Sequence, residues 1–261
     1  MNAVRHVEQV MGLPVSVDVR RCDHDPVPVI RRAFDWLRDV DAWFSPFRTD
    51  SEVSRLDRGE LALDELSADM TEVLALCADY ERRSGGAFRA RLPGYGLDPS
   101  GVVKGWAVQR MADLLIADGV RQLCVNAGGD VLTMGEAEPG RPWRVGVRHP
   151  ERADRMCVVF EVGDAAVATS GGYERGAHIL DGRTGAPATE LLSLTVLADD
   201  LTTADATATA GFALGAEGVA WAADQPGCLV FAIDADHRVH RSAGLDELIR
   251  PAAATADQPP A

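Results

Sequence analysis

No stretch of this chain is long and apolar enough to cross a membrane, and residues 1–10 lack the apolar core of a secretory signal. Cytoplasmic residence without membrane insertion is therefore the expectation. Cysteine is scarce: Cys22, Cys77, Cys124, Cys157 and Cys228 are scattered, make an odd total and form no C-x-x-C pair. A disulfide framework is not indicated, and most of the five read as small core residues in a reducing compartment. Basic residues are also few, 26 Lys and Arg against 40 Asp and Glu, for a formal charge of -14. That balance disfavours non-specific attraction to nucleic acid or anionic lipid, so a phosphate ligand would need a metal ion or individually placed cations. Internal repeats are absent. What is present is ordinary globular material, 46% hydrophobic and 25% charged over 261 residues, enough for one large core.

Residues 11–20 alternate after a glycine, with Val15, Val17 and Val19 on one face, and predict a strand. Asp25-Pro26 opens a helix whose Ile30, Phe34, Leu37 and Val40 share one stripe, and Pro46 ends it. A second helix starts after Ser67, turns Met70, Val73, Leu74, Cys77 and Tyr80 inward, and stops at Ser84-Gly85-Gly86. A third spans residues 102–118 before Gly119. Seven strands are expected at residues 122–125, 131–134, 143–147, 156–162, 166–169, 178–180 and 194–197. Helices at residues 203–214 and 217–224 follow, then a hairpin pairing residues 228–233 with 238–241. Strands grouped between helices predict an α+β fold, largely antiparallel, with packed helices in a single domain over residues 1–250. Residues 251–261 offer no apolar stripe and predict a disordered tail.

Four segments carry chemistry. Asp205 and Thr209 stand one turn apart at the start of a helix, so both can face one hard cation, which takes carboxylate, hydroxyl and carbonyl oxygens. The same residue types also cap helices, and the local sequence leaves both readings open. Asp98-Pro99-Ser100-Gly101 places a glycine turn before a helix with Lys104 in its first turn, able to meet an anion or simply to begin a helix. Asn126-Ala127-Gly128-Gly129-Asp130 reads by itself as an ordinary hairpin turn. His178 begins a predicted strand beside glycine turns and can act as a base near neutral pH.

In combination these segments resemble the ApbE-type FAD:protein FMN transferases, from about residue 11 to about residue 218. The resemblance is carried by Met11-Gly12, the run from Phe47 to Leu56, Gly85-Gly86-Ala87-Phe88, Lys104-Gly105-Trp106-Ala107-Val108, Asn126 to Asp130, Thr169-Ser170-Gly171, His178 to Gly185, and Asp205 to Thr209. It implies transfer of FMN from FAD to a threonine or serine hydroxyl of an acceptor flavoprotein, with Mg²⁺ as the metal and AMP leaving. By position, Asp205 and Thr209 would bind Mg²⁺ through side chains, and Gly101 and Ala208 through backbone oxygens. Met11, Ala87, Phe88, Asp98, Lys104 and Ile179 would line the FAD site, and His178 would take the acceptor's proton. Three departures stand out: Arg89 where the family has Asp, Gln109 where it has Asp, and a much shorter link over residues 89–96. They leave two further readings, a non-catalytic FAD- or partner-binding module and a Mg²⁺-dependent FAD hydrolase giving FMN and AMP.

Overall fold

The computed structural model describes residues 3–92, 94–172 and 178–250. The expected tail at 251–261 lies outside the described residues. The chain opens with a hairpin of β1 (Val4–Val10) and β2 (Leu13–Cys22), reversed through Met11 and Gly12, which have φ of 56° and 72°. Met11 therefore sits in the turn, and the first strand precedes it. The alternation expected for β2 is present, with Val15, Val17 and Val19 buried. In β1 only Val10 is buried, and the other inward positions, Val4, His6 and Glu8, are half-buried and include two polar residues, which blurs the alternation in sequence.

Helix α1 (Val27–Phe44) buries Ile30, Phe34, Leu37 and Val40, as its stripe predicts. Its cap, Ser45, is extended because the ring of the following Pro46 disfavours helical backbone there. A short helix α2 (Glu52–Asp57), not expected from the pattern, starts at Ser51, whose hydroxyl accepts from Ser54 N. Helix α3 (Ala68–Arg83) is capped in the same way by Ser67 and buries Met70, Val73, Cys77 and Tyr80. The short link forms a small hairpin, β3 (Arg91–Leu92) with β4 (Gly96–Leu97), fastened by Asp57, which pairs with Arg91 and accepts from Leu97 N at 3.0 Å. Helix α4 (Ser100–Ala117) then leads to β5 (Val120–Ala127), β6 (Asp130–Met134), β7 (Trp143–Arg148), β8 (Met156–Val162) and β9 (Ala165–Gly171). The remainder is β10 (Leu191–Ala198), α5 (Leu201–Leu214), α6 (Ala216–Ala223), β11 (Leu229–Asp234), β12 (Val239–Arg241) and β13 (Ile249–Arg250).

The large sheet runs β1-β2-β5-β6-β9-β10-β11-β12, and its neighbours pair antiparallel. One face carries the helices over a core that includes Val15, Phe34, Leu115, Leu194 and Phe212. The other packs Val131, Val167, Leu197 and Phe231 against Trp143, Val145 and Phe160 of a smaller sheet ordered β13-β8-β7. This is the expected α+β architecture. The strand expected at 178–180 is instead an irregular loop, held by a single bridge from Leu180 to Pro187. Among the described residues no helix is long and apolar enough to cross a membrane.

Candidate active site

Helix α5 begins two residues earlier than the sequence suggests, at Leu201. Its cap is Asp200, which accepts from Thr203 N at 2.8 Å and from Thr203 Oγ1 at 2.7 Å. Asp205 and Thr209 therefore lie in the second and third turns, and the capping role open to Asp205 in sequence belongs to Asp200. Small side chains let α5 pack closely on α4. A methyl group at Gly105 would stand 2.5 Å from Leu201 O and 2.6 Å from Asp205 Cβ. One at Gly101 would stand 2.8 Å from the Phe88 ring and 3.1 Å from Thr209 Cγ2. Two glycines one turn apart on α4 thus receive the two candidate ligands one turn apart on α5.

Lys104 projects from the same part of α4 and pairs with two carboxylates, Asp130 and Asp205, the latter at 3.1 Å. Both carboxylates are almost wholly buried. Asp205 Oδ2 also accepts from Gly105 N at 2.8 Å, and Asp130 Oδ1 from Thr169 N at 3.0 Å. Burial alone would lower the Lys104 pKa, but the adjacent Asp130 and Asp205 outweigh it and hold the ammonium charged. Burial raises Asp205, and the neighbouring Asp130 adds to the effect against Lys104 and the Gly105 N–H. One half-buried cation facing two buried carboxylates leaves the centre short of positive charge.

Asp130 is the member of this centre that local sequence reasoning missed. It closes Asn126-Ala127-Gly128-Gly129-Asp130, whose glycines at φ 61° and 105° make the β5–β6 reversal. Read locally it is a turn; the β6–β9 pairing brings it to Thr169 and the core arrangement to Lys104.

Thr209 Oγ1 lies 3.4 Å from Ser170 Oγ at the end of β9. Ala87 and Phe88 are buried beside it, and Ala87 O accepts from Gly182 N at 2.8 Å, which docks the loop containing His178 and Ile179 on this side of the site. His178 is exposed at the start of that loop, and Ile179 is half-buried against the main core. Within the loop, a hydrogen bond from Arg183 holds the Asp181 carboxyl below its ordinary range. Asp98 is exposed and accepts from Ser100 N at 3.0 Å, so it serves the N-terminus of α4. Ala208 is fully buried in mid-helix beside Thr209.

The departures also have places. Gln109 accepts from Leu201 N at 2.8 Å and donates to Asp113 at 2.9 Å, so it supports the first turn of α5 rather than leaving a gap at Lys104. Arg89 pairs with Glu81 at 3.3 Å.

For a metal the donor chemistry is that of a hard cation. Among the described residues no group of three or more His, Cys, Asp and Glu side chains is arranged to hold an ion. Asp205, Thr209 and nearby carbonyls form a partial oxygen set, of the kind Mg²⁺ completes with water and substrate phosphate. The excess buried negative charge fits the same group.

A polar cleft of about 580 Å³ adjoins this centre, lined by residues that include Gly12, Asn126, Gly129, Gly146 and Thr169.

A family model described as the ApbE family matches residues 11–92 and 89–232. An FAD:protein FMN transferase of Vibrio cholerae serotype O1 is 35% identical over 136 residues, 48% of this chain and 41% of that protein. One from Treponema pallidum is 35% identical over 176 residues, 60% of this chain and 49% of the other, and one from Rhodobacter capsulatus 32% over 186 residues, 68% and 34%. The chain thus spans half or less of the length of these curated relatives. Among solved structures, the ApbE protein of Thermotoga maritima superposes with a TM-score of 0.86 at 23% identity, covering 95% of this chain and 100% of that one. The flavin transferase ApbE of Vibrio cholerae gives 0.81 at 23% identity, covering 94% and 99%. At that identity the likeness establishes the fold.

Proposed function

The chain belongs to the ApbE family, and from that membership we propose that it transfers FMN from FAD to a threonine or serine hydroxyl of an acceptor protein, using Mg²⁺ and releasing AMP. The observation that carries the reading is the half-buried Lys104 held by the buried Asp130 and Asp205, the latter one turn from Thr209 against a glycine-walled helix contact. Met11, Ala87, Phe88, Asp98, Lys104 and Ile179 line the FAD site in this reading. Asp205 and Thr209 hold Mg²⁺ through side chains, with the Gly101 and Ala208 carbonyls. Bound there, Mg²⁺ supplies charge neutralisation for the phosphoryl oxygens.

The acceptor oxygen forms a bond to the FMN phosphorus as the anhydride bond to AMP breaks. His178 takes the hydroxyl proton on an imidazole nitrogen, a contribution of roughly 10²–10⁴ in rate. Lys104 places a fixed positive charge beside the phosphates without reorganising, because two carboxylates already hold it. Little covalent chemistry falls to the protein, so positioning and electrostatics dominate. The occupied positions of Gln109 and Arg89 favour a working transferase over a passive binding module, since neither side chain intrudes on Lys104. All five cysteines are free thiols, which suits a reducing compartment, and the cytoplasm is part of this reading.

Incubation with FAD, Mg²⁺ and candidate acceptor proteins should add the mass of FMN, less water, to one acceptor. Asp205→Ala should lower the rate by at least about 100-fold. Transfer by Asp205→Ala at the parent rate sinks the metal assignment, and AMP release with no labelled acceptor identifies a hydrolase instead.

A further inference from the structure

Among the described residues β1 has a neighbour on one side only, since the large sheet begins β1-β2. Its seven residues include no proline or glycine and pair with β2 in continuous register. Pro14, opposite Gln9, has no N–H, and its carbonyl accepts from Gly128 N at 3.0 Å on the β5 side. Gln9 and Pro14 therefore exchange no backbone bonds. Residues of an antiparallel pair alternate between exchanging both bonds and exchanging none, so Arg5, Val7 and Gln9 turn their N–H and C=O groups to the free edge. Such an edge is a template for another strand.

The order of side chains says which strand fits. A two-fold axis at Val7 sets Val7 opposite Val7 of a second copy, Arg5 opposite Gln9, His6 opposite Glu8 and Val4 opposite Val10. The residues with outward backbone groups then meet one another, so both free edges are satisfied. Val7, 53% exposed, is covered by its own copy. On the other face of the strand His6 already pairs with Glu8 at 2.7 Å, and Arg38 of α1 bridges Glu8 and Asp35. The axis adds unlike neighbours to that group, because each imidazole then lies between Glu8 of its own strand and Glu8 of the other. Pairing Val7 with Arg5 or with Gln9 instead sets His6 against His6 or Glu8 against Glu8, and like groups directly opposite are destabilising. The pattern therefore favours one register, and β12 at the far edge, only three residues long, offers no equal.

We propose that β1 is a homodimer interface at which two copies of this chain join edge to edge, antiparallel about Val7, into one continuous sheet. The partner is a second copy because the strand is its own complement, in charge and in the phase of its backbone hydrogen bonds. This goes beyond the transferase reading and does not depend on it. The hairpin that the contact fastens does reach the candidate site, since Gly12 in the turn after β1 lines the polar cleft.

Sedimentation velocity over a dilution series should resolve monomer and dimer and no larger species, as a closed two-fold contact requires. Val7→Pro removes an N–H that β2 does not use, once from each copy, and should weaken self-association at least about tenfold. Val7→Lys and Val7→Glu should each weaken it as much by setting like charges at the axis, and an equimolar mixture of the two variants should regain dimer as the mixed species. Should Val7→Pro fail to fold, the two charge variants carry the test, because this side chain is exposed and their circular dichroism should match the parent. A parent that stays monomeric throughout overturns the proposal, as do open-ended assemblies, which head-to-tail pairing of β1 with β12 would give. Dimers untouched by these substitutions place the contact elsewhere, and a mixture that stays monomeric excludes the Val7 register; either result overturns it.

Discussion

At the scale of single residues the centre is defined by an imbalance, one lysine against two buried carboxylates. Removing one partner of a buried ion pair typically costs about 3–5 kcal/mol, because the remaining charge stays buried without compensation. Lys104→Met keeps most of the stem volume and should therefore destabilise by at least about 3 kcal/mol in urea unfolding. Adding Asp130→Asn to that variant should recover about 1 kcal/mol or more, since it removes one of two facing carboxylates while Asn still accepts from Thr169 N. If the two substitutions add within about 0.5 kcal/mol, Asp130 is not coupled to this lysine. Asp130 also marks the limit of local reading. Lys104, Asp205 and Thr209 each have their chemistry written beside them in the chain, whereas Asp130 looks like the end of a turn until β6 is laid beside β9.

At the scale of elements, the α4–α5 contact explains why the site is built where it is. Alanine exceeds glycine in helix propensity by roughly 1 kcal/mol, so Gly105→Ala would stabilise α4 in isolation. In the protein the added methyl meets the Leu201 carbonyl at 2.5 Å and Asp205 Cβ at 2.6 Å, both fixed in the neighbouring helix. Overpacking of this kind costs typically about 1–3 kcal/mol, so the net effect should be a lower melting temperature together with weaker Mg²⁺ binding. A raised melting temperature would show that the helices part without cost. The helices also show what makes an element legible. In α1 and α3 a single apolar stripe and a clear boundary residue gave the element and its buried face. Helix α5 is buried nearly all round with Ala, Thr and Gly, so it has no stripe, and its start reads two residues late in sequence because the cap is Asp200. Strand β1 and helix α2 are not legible in sequence because a half-exposed edge and a six-residue helix carry too little periodicity. His178 to Leu180 has strand-like composition, but the loop's contact with Ala87 decides its conformation.

At the scale of the whole molecule, strands are written locally and their neighbours are not. Most strands of the large sheet were visible as alternating runs, yet its order requires β2 to find β5 past four helices and β6 to find β9 past the β7–β8 excursion. Those pairings follow from burying two sheet faces at once, which no window of sequence encodes. Net charge is also a whole-molecule property, and it acts on the proposed substrate before any contact forms. FAD carries negative phosphates, and a chain of formal charge -14 repels it at distances set by the Debye length, about 10 Å at 0.1 M salt and about 30 Å at 0.01 M. On the proposed reading, the attraction of Lys104 and of a Mg²⁺ ion beside it would be confined to a largely buried centre and screened far less. Association and dissociation should therefore respond differently to salt. Stopped-flow flavin fluorescence at fixed Mg²⁺ should show the FAD association rate rising roughly two- to fivefold between about 0.01 and 0.2 M salt, with dissociation changing less. A falling association rate would mean that the local positive field at Lys104 reaches into solution and steers FAD against the charge of the whole chain.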